Sequence, residues 1–307
     1  MELLSSFLNS LPGAAAQGMV WGIMALGVYI TFRVLDVADL TVDGSIATGG
    51  CVAVMLIRSG ADPRLALLCA FLAGALAGLV TGLFHTRCGI PAILSGILTQ
   101  LALYSINLRI LGGKANQAVG VDKYPLLVSQ RYVRELSFRN PIPVLLLISA
   151  GVIALLYWFF GTERGCGIRA TGANAHMARA QGIDTDGEIV LGLMLSNGLV
   201  AMAGGLLAQF QGAADVGMGR GAIVIGLAAI IIGEVAFGKL FINFALKLSA
   251  VVIGAVIYYF VLQFVLALGL NTNDLKLISA LLVALFLALP HWRESSHRGR
   301  KGAKSHA

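Results

Sequence analysis

The chain has 307 residues, 58% of them hydrophobic and 12% charged, with 38 glycines and a mean hydropathy of +0.85. No soluble core of this length needs so much apolar sequence, so composition excludes a water-soluble enzyme and predicts an all-α polytopic membrane protein. The formal charge of +7 lies in loops and in the C-terminal tail, as anchoring at a membrane face predicts, and is not the footprint of a nucleic-acid binder.

Taken in order, the pattern gives about nine apolar segments, within a range of roughly 8 to 10, each set by the length that crosses a bilayer. The first covers 12–32 and carries Ala14, Gly18 and Gly22 at four-residue spacing, a small-residue stripe that lets helix backbones approach in lipid. After Arg33 the sequence LDVADLTVDGSIATGG brings Asp36, Asp39 and Asp43 into otherwise apolar sequence. A water-exposed loop accounts for these acids. So does a broken helix at membrane depth, which is tolerated only inside protein or beside a cavity. The small-residue helix start that follows at once favours the break and makes Asp39, Thr41, Asp43 and Ser45 candidates for lining a solute path.

A third segment at 65–85 repeats the stripe with Gly74, Gly78 and Gly82, and a fourth at 92–110 contains Gln100 and Asn107, expected to hydrogen-bond between helices. The connection at 112–143, with Lys114, Lys123, Arg131, Arg134 and Arg139, reads as an ordered extramembrane loop. The fifth segment, 144–160, ends in the aromatic run Tyr157-Trp158-Phe159-Phe160 of a membrane interface. A sixth segment spans 189–209, and GAADVGMGRG at 212–221 forms a second polar, Gly-rich break containing Asp215. Segments at 222–237, 245–268 and 277–289 follow, and a basic tail occupies 291–307. Apolar runs flanking an Asp-bearing break thus occur twice, near Asp39 and near Asp215, as in folds that place a site at a repeat interface.

Between the fifth and sixth segments lies a polar island at 161–187, GTERGCGIRATGANAHMARAQGIDTDG. Asn174 can cap a helix, residues 176–181 give under two turns, and Gly182 can end it. A solvated loop is the plain alternative; a short helix held between two spans, with Met177 and Arg179 on show, suits docking to a partner. The arginines of island and tail fall on one side of the membrane, since an even number of segments separates them. Their charge assigns that side to the cytoplasm and the N-terminus to the outside. Residues 1–290 therefore read as one transmembrane domain with a cytoplasmic loop at 161–187, and the N-terminus shows no basic region of a cleaved signal peptide.

No chemistry of an enzyme is visible. Cys51, Cys69, Cys88 and Cys166 form no CxxC pair, the histidines are scattered, and neither HExxH nor a nucleotide-binding GxxxxGK[ST] occurs. No catalytic or metal site is expected, and His176 reads as a contact or solvent residue. An ion-coupled carrier using Asp39, Asp43 and Asp215 stays open.

GCGIRATGANAHMARAQGIDTD, followed by a Gly/Ala-rich span, GGLLAQFQGAADVGMGRG and AAIIIGE, resembles the membrane permease of the branched-chain amino-acid and ribose type of ATP-binding-cassette importer. DLTVDGS is similar to the polar break at the matching place in that superfamily, and the branch nearest this sequence is linked to aromatic or other amino acids. Glu234-Val235 departs from the Gly-rich turn more common there. The resemblance implies a transport subunit of the bacterial inner membrane that binds no cofactor itself, with ATP and magnesium on a separate ATPase chain. It implies further partners in an extracytoplasmic solute-binding protein, a second permease copy and membrane lipid. The solute is an amino acid or related compound, with a sugar or nucleoside as the other possibility. The residues that would meet the ATPase are Arg169, Asn174, His176, Met177, Arg179, Gly182 and Asp184.

Overall fold

The computed structural model describes residues 2–121, 123–133, 140–238, 241, 243–267 and isolated positions between 277 and 288. Its elements are α1 (Glu2–Tyr29), which continues as a π-helical turn at Ile30–Val34, α2 (Val42–Arg58), α3 (Pro63–Thr86) and α4 (Ala92–Ile110). Strand β1 (Asn116–Ala118) and a 3-10 turn (Gln130–Tyr132) lead to α5 (Pro141–Phe160), α6 (Glu163–Ala173) and α7 (Ala175–Ala180). Then come α8 (Thr185–Gln211), β2 (Ala213–Asp215), α9 (Ala222–Phe237) and α10 (Phe244–Ala267). Six of these helices are long and apolar enough to cross a membrane, and α9 is a shorter apolar helix. The chain is thus a polytopic all-α membrane protein. The expected segment at 277–289 lies mostly, and the tail at 291–307 wholly, outside the described residues.

Helix α8 is the central post. In its most apolar stretch 67% of residues are buried, against 17% for α5, which stands at the periphery. The glycine stripe of α3 explains how α8 is gripped: Gly74, Gly78 and Gly82 set bare backbone against Asn197, Leu193 and Val190. In lipid, where apolar burial drives little, such close backbone approach supplies the dispersion that holds helices together. Gly18 and Gly22 of α1 do the same against Val256 and Val252 of α10.

Several helix starts follow from local chemistry. Asp62 accepts a hydrogen bond from the Arg64 amide at 2.7 Å ahead of Pro63, and Asn140 accepts one from Ile142 at 3.0 Å ahead of Pro141. Each pairs an Asx cap with a proline at the first helical position. The 112–143 connection is ordered where it is described: β1 pairs antiparallel with β2, Asn116 opposite Asp215, and Tyr124 donates its hydroxyl to the Arg58 carbonyl at 3.1 Å. This connection is thereby clasped to the second break.

Candidate functional site

Both polar stretches singled out in the sequence interrupt helices. Residues 35–41 are mostly non-helical between the π-helical turn and α2, and residues 212–221 form β2 and turns before α9. The two breaks meet. The Asp43 carboxylate, in the first turn of α2, accepts from the amide of Gly221 at 2.9 Å and from that of Ile223 at 3.1 Å. A helix begins with orphan N–H groups and a partial positive charge, so an acid on a neighbouring helix caps α9 where its own sequence offers only Gly221. Gly219 permits the approach, because a Cβ there would collide with the Asp43 carbonyl oxygen.

The first break is held from within. The Asp39 carboxylate accepts from the Thr41 amide at 2.9 Å and from the Asn197 side-chain amide at 2.7 Å. Asn197 in turn accepts from the Ser45 hydroxyl at 2.6 Å. The hydroxyls of Thr41, Thr81 and Thr99 form a chain, 2.8 and 2.9 Å apart, that ties α2 to α3 and α4. Asp39, Thr41 and Ser45 are at most 2% exposed. The expectation that these three line water is therefore not what this conformation presents: they face protein, and each has a protein partner. Asp43, at the junction of the breaks, and Asp215, within the second break, are half-buried. Asp215 accepts from the Gly217 amide at 2.6 Å and more weakly from Asn116 at 3.4 Å.

Sequence reasoning missed Asn197, Thr81 and Thr99, the partners on which the first break depends. Thr81 stands alone in an apolar run, while Asn197 follows Ser196 and Thr99 precedes Gln100, and polar residues inside apolar spans were the available signal. The interhelical bonding expected of Asn107 is absent among the described residues: it is 1% exposed with neither side-chain atom partnered.

At the other end of the bundle the island folds into two helices rather than one. Helix α6 starts at a Thr162 cap, which accepts from the Gly165 amide at 3.4 Å. It packs through Gly172, where a Cβ would collide with the Val34 carbonyl oxygen. Asn174 then turns the chain and accepts from the Met177 amide at 3.0 Å, capping α7. Gly182 ends the turn at φ +84°, and Asp184 caps α8 by accepting from Gly187 at 3.2 Å. On α7 only Ala178 is buried; His176 is exposed and Met177 is 62% exposed.

Two expected contact residues, both exposed, also have partners within the chain. Arg179 donates to the Thr185 hydroxyl at 2.7 Å and to Asp186 at 3.1 Å, so its guanidinium staples α7 to the start of α8. Arg169 lies on α6 and stacks over the Phe244 ring of α10, 5.6 Å from its centroid. Glu234, the departure noted in the sequence, pairs with Arg33 and so joins α9 to the π-helical end of α1.

This arrangement can be set beside known proteins. The family described as the permease component of branched-chain amino acid transport systems matches residues 10–289. The chain belongs to that family. It is the permease subunit of an ATP-binding-cassette importer, and ATP hydrolysis rests with a separate chain. The permease is 39% identical to the tyrosine transport system permease protein of Clostridioides difficile, over 92% of this chain and 91% of that one. It is 34% identical to the uncharacterized protein RP368 of Rickettsia prowazekii, over 92% and 97% of the two chains. The ribose import permease RbsC of Escherichia coli is 24% identical over 64% of the permease and 60% of its own length. Among solved structures, an inward-facing metal-chelate type ABC transporter superposes with a TM-score of 0.52 at 13% identity, covering 92% of the permease and 85% of that chain. That likeness is one of fold.

Proposed function

We propose that this permease moves an amino acid of the aromatic class, tyrosine among them, across the bacterial inner membrane after delivery by an extracytoplasmic binding protein. Two copies of the chain enclose the path, with the N-terminus outside and the α6–α7 end in the cytoplasm. The solute passes beside the two breaks, where Asp43 and Asp215 keep part of their surface open. Asp39, Thr41 and Ser45 act one layer further back, holding the first break in shape.

Helix α7 is the element on which the ATPase closes. The observation that carries this is structural continuity. The exposed face of α7, with Met177 at its centre, is joined through α6 and Gly172 to the backbone of Val34 and Leu35, where the first break begins. Leu35 also lies against Gly192 of α8. A push on α7 therefore reaches the break through packed backbone, and packed elements switch between discrete arrangements rather than bending smoothly. ATP closure shifts the populations of two such arrangements by its differential contacts with each. The acids at the breaks accept hydrogen bonds from the chain itself, which supports a positioning role for them over ion coupling.

Solute class is tested by uptake. Cells lacking this chain, with and without its restoration, are supplied with labelled tyrosine, leucine and ribose in turn. Tyrosine uptake is expected to fall and to return on restoration. A change confined to ribose would replace the amino-acid assignment with a sugar.

A further inference from the structure

The groove between α5 and α10 has two chemically different ends. Toward the α6 end it opens into a cavity of about 660 Å³ lined by Tyr157, Trp158, Thr162, Arg169, Asn243 and Lys247. Neither Arg169 nor Lys247 belongs to any ion pair found among the described residues. About one helical turn further along the same two helices lies a cleft of about 340 Å³ with a wholly apolar accessible lining, including Leu146, Ile153, Val252, Ile253 and Val256. Trp158 is 70% exposed and Tyr157 49%, at the end of the most peripheral spanning helix, where amphipathic rings sit at headgroup level.

Two unpaired cations, hydrogen-bonding side chains and interfacial rings above a dry slot match one class of molecule. We propose that this groove is a binding site for an anionic phospholipid of the leaflet on the α6 side. The phosphate sits between Arg169 and Lys247, and an acyl chain lies in the α5–α10 cleft. The cation–π contact with Phe244 holds the Arg169 guanidinium at the cavity instead of free in solvent. The inference rests on the chain's spanning a membrane and not on its solute or on α7, so its test involves no transport.

The full-length permease is reconstituted in phosphatidylcholine bilayers containing phosphatidylglycerol or phosphatidylcholine with chains brominated near the glycerol. Quenching of Trp158 is obtained as the difference between the native protein and Trp158→Phe. Phosphatidylglycerol is expected to quench at a markedly lower mole fraction, on the order of fivefold for each engaged cation. Arg169→Gln combined with Lys247→Gln should remove the preference while leaving quenching by brominated phosphatidylcholine as it was, which shows an intact fold. Lys247→Arg should keep the preference, and excess inorganic phosphate should not affect it. Equal quenching by both lipids, or a preference that survives the double substitution, would overturn the proposal. No quenching by either lipid would mean that protein covers the groove, and displacement by inorganic phosphate would make it a free-anion site; either result rejects the lipid.

Discussion

The first break at 35–41 and the short helix α7 both lie in polar stretches between long apolar helices, and both are organised by an Asx side chain accepting a backbone N–H. They differ in where their remaining side chains go. At the break, Asp39, Thr41 and Ser45 turn inward onto Asn197 and Thr81, on α8 and α3. On α7 the cap satisfies the backbone, the buried Ala178 holds the helix down, and Met177 and His176 are left with little to touch. Polar sequence between spans is thus no guide to exposure. What separates the two is whether neighbouring helices offer partners at the same depth.

That contrast can be broken most severely at Asn197. Replacing it with leucine leaves one oxygen of the buried Asp39 carboxylate and the buried Ser45 hydroxyl without their Asn197 partner, at about 1–3 kcal/mol for each unsatisfied group. The expected result is a large fall in monodisperse protein and in thermal midpoint in detergent; an unchanged midpoint would show that the network contributes little. Gly172→Val sharpens the comparison from the linking side. Its side chain must force α6 away from Val34, at a cost of about 1–3 kcal/mol for overpacking. Uptake should fail while the ATPase still copurifies, because docking is intact and transmission is not.

Smaller effects belong to α7 itself. Gly182→Val imposes a side chain at φ +84° and should weaken ATPase retention by roughly fivefold, from a strain of about 1 kcal/mol. Arg179→Ala removes an ion pair whose partners are 63% and 55% exposed, so less than about 1 kcal/mol is at stake. Uptake close to normal is expected. A complete loss there would place Arg179 on the partner after all.

Much of α7 was legible because its determinants are local. Asn174 sits three residues before the amide it caps, and Gly182 supplies the left-handed turn that other residues resist. Helix α6 was not legible, since ERGCGIRATGA carries glycines that disfavour helix and is held by contacts with Phe159, Phe160 and Val34 instead of by propensity. Arg179 is exposed as read, but its bonds to Thr185 and Asp186 were not legible, because these residues come into reach only once the chain has turned at Gly182. The interior of the first break was hidden for a stronger reason: Asp39 and Asn197 are 158 residues apart in sequence. Alternation and spacing report which face of a helix is apolar, but not which distant residue meets it. Hence the positions of both breaks could be read from sequence, and their junction at Asp43 could not.

The central claim is that α7 is the surface on which the ATPase acts, and Met177→Glu tests it most directly. Met177 is 62% exposed, so the substitution should leave folding and membrane insertion unchanged. A carboxylate there would be driven into the middle of a small interface, where a few anchors carry most of the affinity. With permease levels matched, ATPase pull-down and solute uptake are measured on the same membranes. The account predicts that both are lost while the permease remains folded. Full ATPase retention with normal uptake would contradict it and return 174–182 to an ordinary solvated loop.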